Sequence, residues 1–354
     1  MKESVKNCKR IVVKIGSSLF ASEKDGLNTA IFNNIANQII NLVDAGKEVA
    51  VVSSGAIAMG MRMLGLKTRP KELSHLQAAA AIGQNALMDS YSTAFKKHNL
   101  ICAQVLLTWD DFNDRRRYLN AKNTLLTLLK LKSIPVINEN DTVSTDEIRF
   151  GDNDQLSARV ASLISADRLI ILSDVEGLLD REKKVIPVID EITSAVKALA
   201  NPTNKQTSVG GMITKLEAAK IATDAGVTCT IAGGKNHDSI LRSITESAGT
   251  LFLARKGYTA EKKRWIAFGT KSKGKIIVDD GAKIALLGKK SLLSVGITGS
   301  EGNFDSGDIV SITNKHGVEF ARGKTTLSSK QVDKVKGVRA DKEVIHCDNI
   351  VILN

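Results

Sequence analysis

Residues 138–154, NENDTVSTDEIRFGDND, carry four aspartates (Asp141, Asp146, Asp152 and Asp154), two glutamates (Glu139 and Glu147) and three asparagines (Asn138, Asn140 and Asn153). They follow Ile134-Pro135-Val136-Ile137, a short apolar run that reads as a buried strand. Asp and Asn are turn formers, so a solvated loop would use the same residues. The alternative is a site just past the carboxyl end of a strand, where α/β sheets bind ligands. There, carboxylates could hold a substrate ammonium, and carboxamides could bond a substrate carboxylate without adding charge.

Two lysines stand in comparable places. Lys14 lies near the end of the apolar run IVVKI, directly before Gly16-Ser17-Ser18. A lysine inside such a strand is costly unless its ammonium reaches a partner, and the following turn offers backbone N–H groups to an anion. An edge-strand lysine reaching water is the competing reading. Lys215 closes the run Val209-Gly210-Gly211-Met212-Ile213-Thr214-Lys215, which opens a helix. Two glycines before a helix N-terminus, with a lysine one turn in, suit a phosphate. The small residues Ser53-Ser54-Gly55-Ala56 end another apolar run and let backbone approach a ligand closely. Neither GxxxxGK[ST] nor a GxGxxG after a strand is present, which argues against a Walker-type site and a dinucleotide fold. Two lysines and a carboxylate cluster fit phosphoryl transfer, where charge and positioning do most of the work. The five histidines (75, 98, 237, 316 and 346) form no constellation. That suits an acceptor already ionised at neutral pH, such as a carboxylate with a pKa near ~4.3.

The elements needed to position these residues alternate along residues 1–253. Strands are expected at Ile11–Ile15, Val49–Ser53, Ile101–Leu107, 134–138, Leu169–Ser173 and 227–232. Helices are expected at 29–45, after Gly55, and at 75–98, 119–132, 154–166, 211–225 and 238–246. Apolar strands alternating with helices imply an α/β fold, a mostly parallel sheet sandwiched by helices. ARKGYTAEKKRW (254–265) is polar and basic and reads as a linker, placed at 254–273. Beyond it, Lys275–Val278, Ala282–Leu287, Asp308–Thr313, Val318–Ala321 and Ile350–Leu353 read as short strands between glycine turns. They imply a β-barrel-like module over 274–354.

Composition agrees. The chain has 354 residues, 43% hydrophobic and 25% charged, as expected of a globular protein of two domains. No apolar run approaches the ~20 residues of a membrane span, and no signal peptide is evident, so the chain reads as cytoplasmic and non-membrane. Cys8, Cys102, Cys229 and Cys347 form no CxxC pair and read as incidental thiols, with no metal site. Of the net charge of +12, residues 254–354 hold +8, from 19 Lys and Arg against 11 Asp and Glu. A basic module can attract nucleic acid, so an RNA-binding or RNA-modifying protein is the rival reading. No RNA-modification motif is present, and aromatics are only 4%, few for stacking bases.

VVKIGSS (12–18), VVSSGAIAMG (51–60), QAAAAIGQ (77–84), RRRYLNA (115–121), PVINENDTV (135–143), GDNDQLSA (151–158), ILSDVEGL (171–178) and GGMITKLEAA (210–219) together resemble the glutamate 5-kinase family. These are amino-acid-kinase-fold enzymes with a C-terminal PUA module, which KRW at 263–265 and the β-rich tail resemble. The resemblance implies ATP-dependent phosphorylation of the γ-carboxylate of L-glutamate, the first step of proline biosynthesis, with Mg2+. Lys14 and Lys215 would neutralise the phosphates and the transition state, and Asp152 and Asp154 would organise the lysines and Mg2+. Ser54, Asp141 and Asn153 would hold glutamate, Asp141 through its ammonium, with Asn138 supporting that loop. Lys14, Ser173, Asp174 and 209–215 would line the nucleotide. A homo-oligomer, a downstream glutamyl phosphate reductase and RNA binding by the PUA module are the partners the family suggests. The chain departs from the family at Ser173 and Val209, where threonines are usual, and in a shorter stretch after Leu178.

Overall fold

The computed structural model describes residues 8–22, 26–144, 153–200, 211–255, 261–269, 272–338 and 343–353. The chain divides into two compact units, Met1–Gly257 and Tyr258–Asn354.

The first unit is built on an eight-stranded sheet. Its strands are β1 (Arg10–Ile15), β2 (Glu48–Ser53), β3 (Cys102–Leu107), β4 (Ile134–Glu139), β5 (Arg168–Ser173), β6 (Val188–Ile189), β7 (Thr228–Gly233) and β8 (Thr250–Phe252). The order across the sheet is β3-β4-β2-β1-β5-β7-β8-β6. Strands β3 to β7 in that order run parallel, and β8 is antiparallel to β7. The central strands are buried along their length, which is why they read as continuous apolar runs. Strand β1 pairs with β2 on one side and β5 on the other, so Lys14 faces Val52 and Ile171 in register. The carboxyl ends of β4, β2, β1 and β5 therefore lie side by side at the middle of the sheet. This is where an open α/β sheet leaves a crevice.

The helices of this unit include α1 (Thr29–Asp44), α2 (Ala56–Met63), α3 (Leu73–Lys96), α4 (Arg115–Lys130), α5 (Asn153–Leu163), α6 (Met212–Asp224) and α7 (Ser239–Ile244). Caps fix several boundaries: Asn28 accepts from Ile31 N at the start of α1, and Asp114 from Arg117 N at the start of α4. The Asp114 cap explains why α4 begins four residues before the expected 119. Gly55 turns the chain from β2 into α2 with φ 114, a conformation that a side chain would strain.

Helices α2 and α3 touch backbone to backbone. A Cβ on Gly60 would fall 1.7 Å from the Ala79 carbonyl oxygen, and one on Gly83 would fall 1.8 Å from that of Ala56. This contact seats the middle of α3 against the turn after β2. Helix α5 is buried on nearly every face. Its small residues Ser157, Ala158, Ala161 and Ser162, and those of α6 at 218, 219 and 222, leave room for close packing.

The second unit has a five-stranded sheet of β9 (Gly274–Val278), β10 (Ile297–Gly302), β11 (Ile309–Thr313), β12 (Glu319–Lys324) and β13 (Ile350–Ile352), in the order β10-β9-β11-β12-β13. It has its own core around Ile276, Val310, Ile312 and Val344. Ala282–Leu287, expected as a strand, is instead part of a helix, α8 (Asp280–Leu287). Asp279 caps it by accepting from Ala282 N, and a short apolar run carries too little periodicity to separate the two states. The stretch read as a linker holds helical turns at Glu261–Arg264 and Trp265–Gly269. Trp265, Ile266 and Ala267 are buried, and Arg322 donates to the Ala267 carbonyl.

The α2–α3 contact leaves no room for a methyl group. Gly83→Ala should cost about 1–3 kcal/mol by overpacking, read as a lower urea midpoint at unchanged m. An unshifted midpoint would show that the helices part freely.

Candidate active site

The ammonium groups of Lys14 and Lys215 both meet Asp154. Lys14 Nζ pairs with Asp154 Oδ1, and Lys215 Nζ lies 3.3 Å from Oδ2. All three side chains are buried, at 7%, 8% and 2% exposure. Thr214 Oγ1 also donates to Asp154 Oδ2, at 3.1 Å. Three elements converge here: the end of β1, the first turn of α5 and the first turn of α6. Burial alone would raise the Asp154 carboxyl pKa; Lys14 and Lys215 outweigh it and hold the group below the usual carboxylate range. One carboxylate among two ammoniums leaves a net charge of +1 in a buried cluster, an arrangement suited to an anion that brings negative charge.

One peptide unit away, Asn153 begins a second network. Its Nδ2 donates to the Ser53 carbonyl at 3.0 Å, to Ser54 Oγ at 3.0 Å and to Asn138 Oδ1 at 2.9 Å. Asn138 is 2% exposed; its Oδ1 also accepts from Glu139 N, and its Nδ2 donates to Gln84 Oε1 at 2.8 Å. Sequence reasoning overlooked Gln84, although its motif was visible, because only the contact between α2 and α3 brings it here. Glu139 is buried and accepts from Ser144 Oγ at 2.7 Å, tying down the turn that carries Asp141. Burial pushes the Asp141 carboxyl up to about 6, against the opposing pull of Arg69. Arg69 was also overlooked; nothing in its surrounding sequence marks it.

Ser173 and Asp174 stand at the end of β5, where Ser173 Oγ donates to Asp174 Oδ1 at 2.9 Å. Gly211, Met212 and Ile213 begin α6, whose N-terminus has no side-chain cap. A cavity of about 270 Å3 beside it is lined by Ser194, Lys197, Ala198, Ile213, Leu216 and Glu217. Asp152, Val209 and Gly210 lie outside the described residues. The structure thus joins Lys14, Lys215, Thr214 and Asp154 in one cluster, and Ser54, Asn138 and Asn153 in another.

A buried cluster of two lysines and a carboxylate beside a carboxamide network, at the strand ends of an open sheet, is the kind of arrangement a small-molecule phosphotransferase uses. Residues 9–233 match the amino acid kinase family, and residues 274–346 match the PUA domain. A carbamate kinase from Giardia lamblia bound to AMP-PNP shares the fold, with TM-score 0.50 and 18% identity over 71% of this chain and all of that one. An N-acetylglutamate synthase from Neisseria gonorrhoeae does too, with TM-score 0.53 and 15% identity over 71% of this chain and 61% of that one. The glutamate 5-kinase of Thermoanaerobacter sp. (strain X514) is 44% identical over 97% of this chain and 98% of its own length. That of Nitrosospira multiformis is 43% identical over the whole of both chains. The chain belongs to the glutamate 5-kinase family, a branch of the amino acid kinases that uses ATP. Among the described residues no helix is long and apolar enough to cross a membrane.

Asp154→Asn would strand two buried ammoniums and should cost about 3–5 kcal/mol, measured by urea unfolding. The folded pKa of Asp154 lies below its unfolded value. Its stabilisation is therefore complete above the unfolded pKa of ~4 and is lost as pH falls through the folded one. The variant should lack that share of the acid loss; an unchanged acid limb would mean the pairs contribute nothing.

Proposed function

We propose that the chain transfers the γ-phosphoryl group of ATP to the γ-carboxylate of L-glutamate, giving γ-glutamyl phosphate, the first step of proline biosynthesis. The observation that supports it most is the placing of Asn153 and Asp154 side by side, one in the carboxamide network and one between the two lysines. An amino acid held by the first would present its side-chain carboxylate to a phosphate held by the second.

Lys14 and Lys215 bind the phosphate oxygens and stabilise the charge that shifts across them during transfer, a role that needs no covalent step. Asp154 positions both ammoniums. The acceptor carboxylate is ionised at neutral pH and needs no general base. Asp141 and Asn153 take the substrate ammonium, Ser54 bonds the bound amino acid, and Asn138 holds Asn153. The N–H groups of the first turn of α6, at Met212 and Ile213, cradle the phosphates, with Val209, Gly210, Gly211, Thr214 and Lys215 beside them in the chain. Ser173 and Asp174 border the nucleotide, and the cavity beside Ile213 accepts its base.

Mg2+, when bound with ATP, would supply charge neutralisation on the phosphate oxygens. Each oxygen of Asp154 already meets a lysine ammonium, so this donor set does not ligate the metal; Asp152 is the remaining candidate. We assign residues 1–253 to catalysis, 254–273 to the connection and 274–354 to a PUA module open to RNA. We place the enzyme in the cytoplasm as a homo-oligomer whose labile acyl phosphate passes to a reductase.

Lys14→Ala or Lys215→Ala should cut kcat about 10^2–10^3-fold, the loss of roughly 3–4 kcal/mol of preorganised charge. Acyl phosphate trapped with hydroxylamine is the readout, and near-normal turnover would remove that lysine from the mechanism. With an Asp141 pKa of about 6, the charged form that pairs with ammonium is depleted below it. The glutamate kcat/KM should then fall about tenfold per pH unit below that value. Asp141→Asn should raise the glutamate KM and flatten that limb; an unchanged profile would place the titration elsewhere.

A further inference from the structure

We propose that Gln84 is a positioning residue for the amino-acid substrate: by holding Asn138 it keeps the Asn153 carboxamide seated in the orientation that the Ser53 carbonyl sets. This rests on the reading of the substrate as glutamate.

The polarity of the network is fixed by backbone groups at its ends. Glu139 N can only donate, so the Asn138 atom it meets at 2.9 Å is Oδ1. The Ser53 carbonyl can only accept, so the Asn153 atom 3.0 Å from it is Nδ2. Asn138 Nδ2 therefore points the other way and needs an acceptor. Gln84 Oε1 supplies it at 2.8 Å, with Gln84 8% exposed. Without that acceptor the Asn138 amide loses the bond that opposes its rotation, and the seat of Asn153 Nδ2 on Asn138 Oδ1 loosens.

The consequence is an acceptor with one orientation. Asn153 is 8% exposed, and among the described residues its Oδ1 has no partner. It shares a carbon with the Nδ2 that bonds Ser54 Oγ. A buried acceptor left open is costly unless a ligand donor meets it. An ammonium, with three donors, suits it and leaves donors for Asp141. Turned over, Asn153 would set its oxygen against the Ser53 carbonyl and Asn138 Oδ1, three acceptors together. Gln84 thus acts at one remove, and it is held there by the close approach of Gly83 to Ala56.

The test uses the full chain, with hydroxylamine-trapped acyl phosphate as readout. Gln84→Met should raise the glutamate KM about tenfold, the loss of one well-made hydrogen bond. Turnover and the ATP KM should stay within about threefold. Gln84→Glu, which keeps an acceptor for Asn138 Nδ2, should raise the glutamate KM by less than about threefold. In the double variant of Gln84→Met with Asn138→Ala, the KM should match that of Asn138→Ala alone, because residues acting in series are not additive. If Gln84→Met does not fold, Gln84→Asn, one methylene short of Asn138, replaces it with the same expectation. An unchanged glutamate KM, or additive effects in the double variant, overturns the role of Gln84. A wild-type chain inactive with glutamate overturns the substrate reading and this inference with it.

Discussion

The structure turns on one buried carboxylate held between two ammoniums. Asp154 has Lys14 on one oxygen and Lys215 on the other. None of the three would be tolerable alone at this depth, since an unpaired buried charge costs several kcal/mol. Together they are neutralised except for one positive charge. The pairing also locks three elements. Lys14 belongs to the central strand, Lys215 to the first turn of α6 and Asp154 to the first turn of α5. The small residues along α5 and α6 permit the close approach that brings the charges within reach.

The neighbouring site depends on the same helix but on different physics. Its parts are neutral carboxamides, a hydroxyl and backbone groups, each oriented by the next. Neutral groups can be buried here at modest cost because most are paired; among the described residues Gln84 Nε2 and Asn153 Oδ1 are the atoms of this network left without a partner. Among the described residues expected at the site, the exposed exceptions are ones proposed to border the nucleotide: Asp174 and Ile213 face outward. Such a division suits two ligands of different size, one enclosed and one lying along an open surface.

Much of this was legible in the sequence because the central strands are buried on both faces and so read as unbroken apolar runs. Lys14 stood out for the same reason: a charge in an apolar strand demands a partner. The partner itself was not legible as such. Asp154 and Lys215 lie sixty-one residues apart, and spacing along the chain cannot show that two helix starts meet. Gln84 was hidden for a similar reason, since its place depends on two glycines in different helices. In the second unit, Ala282–Leu287 misled because six apolar-rich residues fit a strand as well as a helix, and the deciding signal was the cap at Asp279. The polar run before Trp265 suggested a connector, whereas the tryptophan is buried. Single hydrophobic anchors in a charged segment are easily averaged away.

Asn153 and Asp154 are consecutive in the chain, and both lie in the first turn of a helix buried on nearly every face. The two halves of the site are thereby joined by a single peptide bond, with no hinge between them. A rigid turn of this kind acts as a ruler. It fixes the spacing between the carboxamide network and the lysine cluster. Any substitution that rotates this turn must shift both clusters together, so the one cannot be adjusted there independently of the other.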